Sequence, residues 1–206
     1  MTQNILEKIF TSAARVKIMK LFLFNNEDVF DKESVLEKSK VTAKELQYEI
    51  KLLKEIKFIK DKKITKTSTT KTGKITKKKV EGFYLNPDFS LLKQLKDLLI
   101  NNEPLKHSDI QKRIGKTGKI KLIIIAGVFL QADDCRVDLL IVGDELKKRS
   151  LENTIKTMES EIGKELRFSY LSTEDFKYRH SVCDRLIRDI LDYKHEVVMD
   201  RIGIGY

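Results

Sequence analysis

Apolar residues recur at helical spacing in the first third of the chain. Val16, Met19, Phe22 and Leu23 fall at i, i+3, i+6 and i+7, which predicts a helix over 12–25 that starts at Ser12 and stops at Asn25-Asn26. A second short helix follows over 31–38, with Val35 and Leu36 turned toward a core. Ser39-Lys40-Val41 makes a turn. Thr42 followed by Glu45 is a capping box, in which hydroxyl and carboxylate satisfy each other's orphan amides, so a third helix runs from Thr42 to about Ile56. Its apolar stripe is Leu46, Ile50 and Leu53. The period then changes. Residues 60–70 and 74–84 are rich in Thr, Ile, Val and Lys with no helical repeat, and Thr72-Gly73 lies between them, which predicts a hairpin. Asn86-Pro87 breaks the pattern. An apolar helix over 89–101 follows, carrying Leu91, Leu92, Leu95, Leu98 and Leu99, too hydrophobic for a free linker. It is expected to pack on its own chain or on a second copy.

The second half alternates apolar runs with amphipathic ones. A short helix is predicted over 108–114, a strand over 119–125 with the run Leu122-Ile123-Ile124-Ile125, and a strand over 136–142. A helix comes next with Leu151, Ile155, Met158 and Ile162 on one face. Strand 166–171, a helix over 173–178 capped by Ser172 and Asp175, a helix over 181–191 and a strand over 196–199 complete the chain. Strands with intervening helices predict an α/β domain. The expected division is 1–86, a linker or dimerisation helix over 87–104, and 105–206.

Composition narrows the class. No apolar run nears the ~20 residues needed to span a bilayer, and residues 1–10 lack a signal-peptide pattern. Cys135 and Cys183 build neither a disulfide framework nor a zinc site. A soluble, cytoplasmic protein without a membrane partner is expected. The net charge of +10 is local: residues 51–80 carry 12 lysines against Glu55 and Asp61, which equals the whole excess. Such a block is the footprint of a polyanion site, or of a solvated lysine surface.

Candidate contacts follow from the helix over 42–56. Opposite its apolar stripe stand Lys44, Gln47, Tyr48 and Lys51, cations with an amide and a phenol, groups suited to phosphates and base edges in a major groove. Thr42 at the helix start and Lys62, Lys63, Lys66, Lys71, Lys74, Lys77 and Lys78 of the hairpin complete the set. Helix, short helix, capped helix and basic hairpin in this order resemble the winged helix-turn-helix DNA-binding domain of the arsenic-repressor type, over about residues 10–86. The resemblance implies that helix 42–56 enters the major groove of double-stranded DNA while the hairpin meets the adjacent backbone or minor groove, and that the protein is a homodimer.

Gly115-Lys116-Thr117 is not a phosphate loop: Ile110 stands where the motif needs a glycine, and a strand rather than a helix follows. The pattern strand, Gly127 turn, then Val137-Asp138-Leu139-Leu140-Ile141-Val142 is similar to the core of the small, minimal members of the DNA polymerase beta-type nucleotidyltransferases, over about residues 117–200. Active members have Gly-Ser after the first strand and Asp-x-Asp on the second, with a third carboxylate later. Here Val128 takes the Ser position, Arg136 takes the first Asp, only Asp138 survives, and strand 166–171 offers Arg167 and Ser169 instead of a carboxylate. The acidic loop residues Asp133 and Asp134 lack a strand's fixed geometry. A guanidinium repels a divalent ion, so the resemblance implies a site without catalytic residues, metal or cofactor.

The expected fold class is therefore a two-domain α+β/α/β chain: an N-terminal winged helix-turn-helix and a C-terminal nucleotidyltransferase-like mixed sheet with helices. The expected function is sequence-specific transcriptional regulation, the second domain serving dimerisation, sensing of an effector or partner binding. Two alternatives stand beside it. One is an active nucleotidyltransferase whose basic domain holds a nucleic-acid or protein substrate. The other is an RNA-binding module, although the aromatic pair of single-strand RNA platforms is missing. His107, His180 and His195 show no nucleophile or metal pattern and are expected at the surface or in packing roles.

Overall fold

The computed structural model describes residues 5–69, 75–100, 105–132 and 135–204. It divides into two compact units, Met1–Asn102 with Glu159–Lys164, and Glu103–Met158 with Glu165–Tyr206. The architecture is mixed α+β, with one three-stranded antiparallel sheet and one four-stranded mixed sheet. No helix among the described residues is long and apolar enough to cross a membrane.

In the first unit, α1 (Ile5–Ile9) leads into α2 (Ala13–Phe24). Ser12 caps α2 by accepting from the Arg15 N–H at 3.1 Å. Val16, Ile18, Met19, Phe22 and Leu23 of α2 are buried, Ile18 and Phe22 completely. Each large side chain so enclosed contributes ~1.5–3 kcal/mol. β1 (Phe30–Asp31) is two residues long and feeds α3 (Lys32–Ser39), whose Val35 is fully buried. α4 (Ala43–Glu55) begins at the predicted capping box: the Thr42 N–H donates to Glu45 Oε2 at 2.8 Å, and the Glu45 N–H donates back to Thr42 Oγ1. Leu46, Ile50 and Leu53 are buried as the spacing predicts.

β2 (Ile59–Thr69) and β3 (Ile75–Leu85) pair from Ile59 opposite Leu85 to Thr69 opposite Ile75 without a register shift. β1 adds to the outer edge of β3, Asp31 opposite Gly82. Gly82 permits that approach, because a Cβ there would stand 2.9 Å from Val29 Cγ1 and 3.1 Å from the Lys62 carbonyl oxygen. The expected turn at Thr72-Gly73 lies outside the described residues. α5 (Leu92–Leu99) is shorter than predicted. Its Leu99 is buried, and Leu92 and Leu95 pack against the first unit's core, leaving Leu91 and Leu98 exposed.

In the second unit, α6 (His107–Ile114) leads through a tight turn into β4 (Lys119–Ala126). β5 (Leu139–Asp144), α7 (Lys148–Ile162, of which Glu159–Ile162 belong to the first unit), β6 (Phe168–Leu171), α8 (Thr173–Ser181), α9 (Arg185–Asp192) and β7 (His195–Asp200) follow. The sheet order is β6-β5-β4-β7, with β5 and β6 parallel and the other neighbours antiparallel. The apolar run predicted for the first strand, Leu122–Ile125, is wholly buried. Leu151, Ile155, Met158 and Ile162 of α7 are buried too.

Two boundaries differ from expectation. The strand predicted from Arg136 starts at Leu139: Arg136 lies in a bend, and just before the strand the Asp138 carbonyl accepts from the Ala126 N–H at 2.9 Å while its N–H donates to the Arg167 carbonyl at 2.6 Å. The helix predicted from Ser181 starts at Arg185. Cys183 adopts a left-handed φ of 53°, and Asp184 starts a new helix by accepting from the Leu186 N–H. His180 and Cys183 therefore do not share a helical turn.

Candidate functional site

The first candidate surface is built on α4. A helix turns about 100° per residue, so Leu46, Ile50 and Leu53 inward leave Lys44, Gln47, Tyr48 and Lys51 outward. All four are exposed, as is Thr42. Neither lysine makes an ion pair with another described residue. The same spacing puts Glu49 on the inner stripe, and it is buried with its carboxylate. Glu49 accepts from Ser12 Oγ at 2.7 Å and from Arg15 Nε at 2.8 Å, which ties α4 to the start of α2. Sequence reading missed this tie, although the interval 46–49–50–53 already placed Glu49 inward.

Between α4, α3 and β3 lies a groove of about 880 Å³, floored by Leu36, Leu46, Ile50 and Phe83 and edged by Gln47, Lys51 and Lys54. Lys54 closes the hairpin base onto α4. Its ammonium stands 2.6 Å from Asp61, 3.5 Å from Glu81 and 5.9 Å from the Phe83 ring centre. The Asp61 carboxylate raises the Lys54 ammonium above its ordinary value, Glu81 adding to it.

The hairpin lysines are not equivalent. Lys62, Lys63, Lys77 and Lys78 are exposed, as is Lys79, and none makes an ion pair with a described residue. Lys71 and Lys74 lie outside the described residues. Lys66 departs from the expectation of a free cation. It donates to Asp31 at 2.7 Å and to Glu33 at 2.6 Å, residues 35 and 33 positions away. Burial works to raise the Asp31 carboxyl, but the Lys66 ammonium and Ser34 outweigh it and hold the group at about 2. Asp31 also caps α3, accepting from the Ser34 N–H at 2.8 Å.

The second candidate site is Gly127, Val128, Arg136 and Asp138. Gly127 has φ 53°, and a Cβ there would collide with Asp138 Oδ1, so the turn needs glycine for both reasons. Asp138 is buried. Its Oδ1 accepts from the Val128 N–H at 3.0 Å and from an Arg167 terminal nitrogen at 3.0 Å. Its Oδ2 accepts from the Arg167 N–H at 2.8 Å and from Arg167 Nε at 3.1 Å. Burial pushes the Asp138 carboxyl up, but the Arg167 side chain and the Val128 and Arg167 backbone amides outweigh it, and the group stays below the ordinary carboxylate range. Arg136 is not its partner. It sits in a bend before β5, exposed, with Nε 3.1 Å from Asp189. Arg167, 29 residues on, is the cation that pairs with Asp138.

This arrangement does not fit two magnesium ions. Both oxygens of Asp138 are engaged by four N–H donors, and a guanidinium lies where a cation would bind it. Position 136 contributes a second cation, outside the strand whose period would align it with Asp138. Among the described residues no three His, Cys, Asp or Glu side chains gather as metal ligands; Asp133 and Asp134 lie outside them.

Gly115–Thr117 forms a tight turn in which the buried Thr117 hydroxyl donates to the Ile114 carbonyl at 2.7 Å, so no phosphate cradle opens a helix there. His107 Nε2 lies 2.9 Å from Glu196, and His180 stacks on Phe176. No protein-family model and no curated protein matches the chain.

Proposed function

We propose that the first unit is a winged helix-turn-helix module, with α3 and α4 as the helix pair and β2–β3 as the wing, and that the chain is a sequence-specific, double-stranded DNA-binding transcriptional regulator of the cytoplasm. One observation carries the reading. An exposed stripe of uncompensated cations, amide and phenol on a capped, well-anchored helix stands in the same unit as a lysine-rich hairpin. On this reading α4 enters the major groove, and Lys44, Gln47, Tyr48 and Lys51 meet phosphates and base edges. The part-buried Glu49–Arg15–Ser12 cluster fixes the angle at which that stripe is presented.

The second unit is read as a nucleotidyltransferase-type fold put to dimerisation, effector sensing or partner binding. The support is chemical: the one aspartate left at the metal position is neutralised by Arg167. A homodimer would set two α4 helices about one DNA turn, ~34 Å, apart and would read a near-palindromic site.

The test is duplex binding by fluorescence anisotropy across a salt series, with random and selected DNA. Preference of ~10³-fold or more for a selected site is the expected result. Replacing Lys44, Gln47 and Lys51 together by Ala should abolish that preference. Discrimination that survives the triple variant would refute the role of α4. Magnesium-dependent turnover of a nucleoside triphosphate, lost on Asp138→Asn, would favour the enzyme instead.

A further inference from the structure

The hairpin has two chemically different faces. Side chains alternate along a strand, and residues directly opposite on an antiparallel ladder share a face. The unbroken register puts Asp61, Lys63, Glu81, Lys79 and Lys77 on one face with Phe83, and Lys60, Lys62, Lys66 and Lys78 on the other with Gly82. The first face is the one toward α4, because Asp61, Glu81 and Phe83 all meet Lys54. Its two carboxylates are already matched: Lys54 takes both, and Lys32 also reaches Glu81 at 3.4 Å. Lys63, Lys77 and Lys79 are left there without an ion pair among the described residues.

The second face is largely self-neutralised. Lys60 lies 3.2 Å from Asp88, and Lys66 holds Asp31 and Glu33. Those three carboxylates nearly cancel the four lysines, and a polyanion approaching this side meets Asp31 and Glu33 as well as Lys62 and Lys78. Drawing Lys66 away would strip a counter-charge from Asp31, whose side chain is only 9% exposed.

We propose that the hairpin meets the phosphodiester backbone of a duplex with one face only, the α4-side face carrying Lys63, Lys77 and Lys79, and that Lys66 is a positioning residue that holds the hairpin to α3. The inference rests on the duplex-binding reading of the first unit and adds which face binds.

Two variants with the same charge change separate the faces: K63A/K79A on the α4 side and K62A/K78A on the other. All four lysines are exposed, and each variant removes one from each strand. Each phosphate that is no longer neutralised should lower the log–log salt slope by about 0.9. K63A/K79A should flatten the slope by about 1.8 and weaken binding roughly 60-fold at 0.1 M salt. K62A/K78A should change the slope by less than about 0.5 on the same scale. Lys66→Gln should weaken binding with the slope unchanged, and Lys66→Arg should restore it. Equal slope losses in the two double variants, or none in either, would overturn the one-face inference while duplex binding itself stood. Wild-type protein that shows no salt-dependent duplex binding would instead remove the reading of the unit, and this inference with it.

Discussion

Asp138→Asn is the sharpest test of the second unit, because it keeps shape and removes charge. In the wild type four N–H groups converge on the carboxylate, two on each oxygen, at 2.8 to 3.1 Å. Asparagine offers one acceptor oxygen, so its amide nitrogen faces two of those donors. With the oxygen toward Val128, the Arg167 backbone N–H is left facing another donor, at a cost of about 1–3 kcal/mol. The guanidinium is half exposed and regains water, so loss of its charge pairing adds at most about 1 kcal/mol. The expected destabilisation is therefore about 1–4 kcal/mol, or a fall of at least about 4 °C in the melting temperature of this unit. Thermal unfolding followed by circular dichroism measures it.

The pH dependence has a definite sign. The folded-state carboxyl lies below its unfolded value, with the Arg167 and backbone hydrogen bonds overcoming burial. Its contribution is complete above the unfolded carboxylate pKa, near 4, and is lost progressively as pH falls toward the folded value. The gap between wild type and Asp138→Asn should thus be constant from pH 6 to 8 and narrow below about pH 4. A variant within about 0.5 kcal/mol of wild type at pH 7 would refute the account.

Glu49→Ala should destabilise the first unit by about 3 kcal/mol in urea unfolding, since it leaves the Arg15 guanidinium largely buried without its carboxylate. It should also weaken duplex binding, although Glu49 itself faces inward. Thr42→Ala should lower stability by about 1 kcal/mol through loss of the α4 cap, read in the same unfolding assay. Gly127→Ala should cost more than about 2 kcal/mol, because a Cβ there combines a left-handed φ with a clash at Asp138; a melting curve like that of wild type would contradict the close approach. Restoring the motif residues alone, as Val128→Ser with Arg136→Asp, should give no magnesium-dependent turnover while Arg167 holds Asp138. A phosphate-release or nucleotide-incorporation assay checks that outcome.

Local signals carried much of the chain. The i, i+3, i+4 recurrence and the caps at Ser12, Thr42 and Ser172 located α2, α4 and the start of α8 closely, because helix formation and capping depend on residues within a turn of each other. The exposed stripe of α4 follows from the same arithmetic. Pairings across long intervals were not legible. β1 could not be seen in two residues, since it exists only by lying beside Phe83 and Gly82. The Lys66–Asp31 and Asp138–Arg167 pairs join residues 35 and 29 positions apart, and nothing in composition marks one lysine or arginine as already engaged. The backbone partner of Asp138 just before β5 was hidden for the same reason, because the Arg167 carbonyl it meets lies 29 residues on. Glu49 differs, for its spacing was visible and only its polarity concealed it.

The order of strands has a consequence for how the chain is made. β4 is central in its sheet, yet its outer neighbour β7 is encoded roughly 70 to 80 residues later, so pairing them closes a long loop. During synthesis β4 and β5 can meet well before β7 emerges. In that interval the edge formed by Leu122-Ile123-Ile124-Ile125 presents unpaired backbone and uncharged side chains, the surface most prone to pairing with another nascent chain. The hairpin of the first unit carries no such exposure: its strands are adjacent in sequence and its lysines repel like neighbours. Chains truncated before His195 should therefore aggregate through the second unit, which light scattering of the truncated protein would show.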